Sequence, residues 1–94
     1  MSGEPQKIGG FILETLKRMG FSARLKKQQA ITRWSEIVGE AIARETEAVR
    51  IDGDTLVVRV AQAAWRQQLI FLKDDILTRI NEEIGGDIKD IRFI

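Results

Sequence analysis

Thr55–Ile84 reads TLVVRVAQAAWRQQLIFLKDDILTRINEEI, and the change of period inside it decides the fold. Its first six residues alternate, with Leu56, Val58 and Val60 on one face and Thr55, Val57 and Arg59 on the other. That is the pattern of a strand. From Ala61 the apolar positions fall three or four apart, at Trp65, Leu69, Leu72, Ile76, Ile80 and Ile84. They mark one stripe of a long helix. A strand feeding a helix with apolar faces in phase makes a two-layer unit, sheet below and helix above.

Just upstream, Val49 and Ile51 alternate with Ala48, Arg50 and Asp52, and Asp52-Gly53-Asp54 reads as a hairpin turn. With Gly53 and Asp54 as the loop, Ile51 faces Leu56 and Val49 faces Val58; with Asp52 and Gly53 as the loop, Ile51 faces Asp54. The first register is expected, because a one-residue slip moves a whole set of side chains to the wrong face. Downstream, Gly85-Gly86 stops the helix, and Ile88, Ile91 and Phe93 form a short terminal strand. A strand–helix–strand connection within one sheet is right-handed and joins parallel strands. The third strand is expected beside the first, in the order 2-1-3, so that each neighbouring pair is antiparallel.

In the N-terminal half, residues 1–6 read as a disordered leader holding the only proline. Ile8, Phe11, Ile12, Leu16 and Met19 share one helical face, and Gly20 sits where a left-handed C-cap is expected. Ser22 is the expected N-cap of a second helix, running from about Ala23 to Ile37 or beyond. Its stripe of Ala30, Trp34, Ile37 and Ala41, flanked by Ile31, Val38 and Ile42, continues through Gly39. That glycine marks either a break between two helices or a close backbone approach. The architecture expected is one small α+β domain over residues 7–94, ordered α-α(-α)-β-β-α-β, with helices on one face of a three-stranded sheet.

Composition narrows the function classes. The 94 residues contain no cysteine, histidine or tyrosine, which removes thiolate chemistry, the commonest general base and the commonest metal ligand. No catalytic residue, metal site or cofactor is expected, and the chain is read as a non-enzyme. No apolar run reaches the length of a membrane span, and MSGEPQK is not a secretory signal. The expected location is the cytoplasm.

Charge is uneven. Residues 1–50 hold nine Lys/Arg against six Asp/Glu, and residues 51–94 hold six against eight. Between Thr15 and Ser35 lie Lys17, Arg18, Arg24, Lys26, Lys27 and Arg33 with no acidic residue. One reading is a solvated helical face. The functional reading is a corner that binds phosphate backbone weakly, with steep salt dependence and without reading sequence.

Other features read as structural. Trp34 and Trp65 lie on apolar stripes, so core packing is expected rather than base stacking or partner anchoring. Asp74-Asp75 and Glu82-Glu83 are adjacent on a helix and diverge by about 100°, a poor geometry for acid/base or metal work. Asp75 and Arg79, four apart, are expected to support each other on the surface. Gly9-Gly10 and Gly85-Gly86 fit no phosphate loop and are read as helix boundaries.

An ordered set of residues resembles the DciA-like family, bacterial proteins associated with the replicative helicase. Trp34 is followed by Ile37-Val38-Gly39, Ala41-Ile42 and Thr46; then come Leu56-Val57-Val58-Arg59-Val60, Trp65, Leu69, Ile76-Leu77, Ile80-Asn81 and Ile91-Arg92-Phe93. The resemblance spans about Phe11 to Phe93 and implies a KH-like domain that helps the replicative helicase onto DNA and has affinity for DNA. Two departures accompany it. No Gly-x-x-Gly loop joins the helices, so the usual KH clamp on single-stranded backbone is not expected. The sequence closes at Ile94, as in a short form without the C-terminal extension of longer relatives.

The leading expectation is a non-enzymatic adaptor that binds the replicative helicase and, weakly, DNA through Lys17, Arg18, Arg24, Lys26, Lys27 and Arg33. The alternatives are a protein-binding or self-associating module, a homodimer through an open sheet edge included, and an RNA-binding KH-like module.

Overall fold

A computed structural model describes residues 21–94, with side chains from residue 23 onward. Three helices, α1 (Phe21–Thr32), α2 (Trp34–Val38) and α3 (Glu40–Glu45), lead into a hairpin of β1 (Thr46–Asp52) and β2 (Thr55–Val60). The long helix α4 (Ala63–Ile84) and the strand β3 (Asp90–Phe93) complete the order. The α+β class and the element order are those expected from the sequence.

The strand order differs. The sheet runs β1-β2-β3, with β1 antiparallel to β2 and β3 parallel to β2. The expected 2-1-3 order placed β3 on the other side of β1. Composition explains the outcome: Leu56, Val57 and Val58 are all fully buried, and Val57, which faces away from the helices, gains that burial from a central position with Arg50 of β1 and Arg92 of β3 on either side in register. β1, with Glu47, Arg50 and Asp52 exposed, suits an edge. Pairing continues past β3, where Val58 accepts from the Ile94 N–H and Ile94 accepts from the Val60 N–H, each at 2.8 Å.

The hairpin keeps the expected loop, with Asp52 opposite Thr55 and Ile51 opposite Leu56. Farther along, Ala48 rather than Val49 stands opposite Val58, because a bulge falls between Ala48 and Arg50. Regular alternation from Ile51 would send Glu47 into the core. The extra residue turns Ala48 and Thr46 inward and Glu47 outward, where it accepts from Arg59 at 2.6 Å.

Helix boundaries follow local chemistry. Ser22, expected as an N-cap, lies inside α1; Gly20 and the stripe from Ile8 to Met19 lie outside the described residues. Gly39 breaks the chain between α2 and α3 at φ +89°, and a Cβ there would meet nothing within 4 Å, so the break, not a close approach, explains it. The break turns α3 relative to α2: Ala41 is exposed and Ile42 packs on the core. Gly39→Ala should therefore cost about 1–3 kcal/mol through backbone strain alone. Urea unfolding measures it, and a loss below about 0.5 kcal/mol would contradict the assignment.

α4 ends at Gly85 in the left-handed region, its N–H on the Asn81 carbonyl at 2.9 Å. Asn81 then holds the return to β3, its side chain donating to the Ile88 carbonyl and accepting from the Ile88 N–H, both at 2.9 Å. Ile88, expected in the last strand, precedes it as a buried loop residue. The core between helices and sheet joins Ala30, Trp34 and Ile37 to Leu56 and Val58, and to Leu69 and Ile80 of α4.

Candidate interaction surface

Four of the six cations expected to contact phosphate are described; Lys17 and Arg18 lie outside the described residues. Arg24 and Lys26 are exposed on α1 and have no acidic partner among the described residues. Lys27 instead reaches across to the hairpin tip, 2.5 Å from Asp54. Arg33 holds α4, donating to Glu83 Oε2 at 3.0 Å and to the Glu83 carbonyl at 3.2 Å, and also pairs with Glu36. The six residues therefore divide into two staples, two exposed cations on one helix, and two beyond description.

These staples leave an electrostatic signature. The hydrogen bond and charge of Lys27 hold the Asp54 carboxyl below its ordinary value of 3.8. Asp90 is held low in the same way by the Lys73 ammonium, which it meets at 3.1 Å, and by the Ile91 N–H. A carboxyl with a depressed folded pKa binds fewer protons folded than unfolded, so stability rises with pH through that window. The contribution should be fully present above about pH 4 and lost as pH falls through the folded values. Asp54→Asn/Asp90→Asn should flatten the acid limb of a stability-against-pH curve measured in urea; an unchanged limb would show that these pairs do not set it.

Trp34 is a structural residue: it is buried, and its Nε1 donates to Thr46 Oγ1 at 2.9 Å, which in turn donates to the Ile42 carbonyl at 2.7 Å. Trp65 is half-buried against the core at the start of α4. Both agree with the packing expectation.

The surface that the sequence reading missed lies on α4. Leu72, expected on the buried stripe, is 39% exposed, Ile70 is 55% exposed and Phe71 is 88% exposed. The signal was legible: Leu69-Ile70-Phe71-Leu72 is a run of four apolar residues, and no single helix face can bury four in a row. Beside Leu72, a groove of about 170 Å³ runs between α2, α3 and α4, lined by Ile37, Val38, Ile42, Ile76, Asp75 and Arg79. Asp75 and Arg79 do not support each other as expected; among the described residues neither has an ion-pair partner. A shallower hollow continues from Leu72 and Phe71 to Gln68 and Ala64.

On the sheet face away from the helices, Arg50 and Arg92 flank Val57 in register and converge on Asp52 at 3.3 and 3.0 Å. Each arginine described on this face is therefore engaged by a carboxylate. Among the described residues, no group of three or more His, Cys, Asp or Glu side chains is placed to hold a metal ion, and no helix is long and apolar enough to cross a membrane.

The described elements define a small α+β module with helices on one face of a mixed sheet and an exposed apolar patch on its longest helix. The sequence model of the family described as Dna[CI] antecedent, DciA, matches residues 7–93, and the chain belongs to that family. It is 28% identical to a UPF0232 protein of Mycobacterium tuberculosis, over 90% of this chain and 46% of the relative. It is 30% identical to UPF0232 proteins of Rhodococcus jostii (96% of this chain, 48% of the relative) and Streptomyces coelicolor (97% and 50%). The chain thus spans about half the length of the curated relatives it matches.

Proposed function

We propose that this chain is a non-catalytic adaptor of DNA replication that binds the replicative helicase and, weakly, DNA. The observation that carries the reading is the family match across residues 7–93. The exposed apolar surface of α4 supports it, since contiguous exposed apolar side chains mark contact with another macromolecule. The DNA part rests on the basic segment: Arg24 and Lys26, with Lys17 and Arg18, supply phosphate contact, while Lys27 and Arg33 contribute mainly through their internal pairs. The test is biolayer interferometry of the full chain against the host's replicative helicase. Saturable binding that survives added nuclease supports the adaptor; no binding by a sample folded by circular dichroism counts against it.

A second reading is favoured by one observation. β3 lies at the edge of the sheet, where a strand from another chain can add. Self-association through that edge predicts a concentration-dependent dimer in light scattering. A monomer at high concentration removes this reading.

A further inference from the structure

We propose that the groove between α2, α3 and α4, continued by Phe71, receives one amphipathic helix of a partner protein. That helix carries a basic side chain and, one turn away, an acidic one beside its apolar stripe. The inference rests on the adaptor reading for its claim that the occupant is a protein, and it adds the surface and the chemistry of the contact.

Three observations support it. From Ala64 to Arg79 α4 rises about 22 Å, which matches roughly four turns of a docked helix. The apolar floor is already built, with Ile37 and Ile76 buried and Leu72 and Phe71 presented outward. Asp75 and Arg79 stand one turn apart on its wall without ion-pair partners among the described residues. An occupant that buries the groove must answer both charges, because an unanswered charge at a desolvated contact is costly.

The same two charges argue against a second copy. In a two-fold pairing of α4 with α4, residue i meets residue j and j meets i. Setting Asp75 against Arg79 of a second copy places Phe71 across from Glu83 and Leu72 across from Glu82. Apolar side chains then face carboxylates. A heterologous helix is free of that constraint.

The experiment is a titration of the ¹⁵N-labelled full chain with a synthetic helical peptide. The probe carries a leucine stripe four turns long, flanked by one lysine and one glutamate four residues apart. The expected result is saturable shifts at Ile37, Ile42, Leu72 and Ile76, weakened about tenfold or more by Phe71→Asp. Because Phe71 is exposed, that variant should keep its circular dichroism spectrum. Arg79→Glu should bind the lysine–glutamate peptide less tightly than a two-lysine peptide, and the wild-type chain should show the reverse preference. Absent binding, shifts on another face, or indifference to Phe71→Asp and to peptide charge would each overturn the proposal. So would a wild-type dimer in sedimentation equilibrium that Phe71→Asp dissociates, since a second copy would then be the occupant. Failure of the chain to bind the helicase, measured separately, overturns the choice of helicase and leaves this titration to decide the groove.

Discussion

Trp34→Ala should remove about 3–5 kcal/mol of stability, the range for deleting a buried aromatic and leaving a cavity. A domain of this size holds only about 5–15 kcal/mol in total, so the substitution should remove from about a fifth to all of it. The expected cost is high because Trp34 joins three parts of the fold. Its ring lies in the core at the start of α2, and its N–H reaches the first residue of β1. Thr46 then fastens that strand to the Ile42 carbonyl. Trp34→Phe separates the two contributions. It keeps most of the apolar volume and loses the hydrogen bond, and Thr46 retains its bond to Ile42, so about 1 kcal/mol should be lost. Urea denaturation measures both. Equal losses for the two substitutions would show that the hydrogen bond, not the packing, carries the role.

The second large effect concerns DNA. Lys17→Glu/Arg24→Glu/Lys26→Glu should weaken binding to a labelled single strand about 10- to 100-fold at low salt. The dependence of log affinity on log salt should lose about 2 from its slope, near 0.7 for each single-strand phosphate contact. Fluorescence anisotropy across a salt series reads both quantities. Lys27→Glu should behave differently. It sets a carboxylate against Asp54 and loosens α1 from the hairpin tip, so the damage should appear in stability more than in salt slope. An unchanged slope for the folded triple variant rejects the patch.

These expectations show where the sequence was legible. Thr55–Ile84 specified both its strand and its helix, because the period changes within a few residues and Gly85 stops the helix sharply. The order of strands was harder to read. Two antiparallel neighbours looked simpler, yet the decisive clue lay in Leu56-Val57-Val58, whose lack of alternation identifies a central strand. The bulge at Val49 escaped alternation because it depends on where Glu47 would otherwise point. At the surface, cation spacing located the basic segment but not the long-range partners of Lys27 and Arg33, which lie 27 and 50 residues away. The exposed side of α4 was present in the sequence as four consecutive apolar residues. Reading a single stripe assigned Leu72 to the core and left Phe71 without a role.

An adaptor must do more than bind each partner; it must bring the two together. The most direct measurement is the anisotropy of a labelled single strand on addition of the host's replicative helicase, with and without the chain, at a salt concentration where the chain alone binds little. The account predicts that the chain raises both the rate and the extent of helicase association, and that Lys17→Glu/Arg24→Glu/Lys26→Glu reduces the gain. A helicase that binds the chain yet reaches DNA no faster in its presence would contradict it.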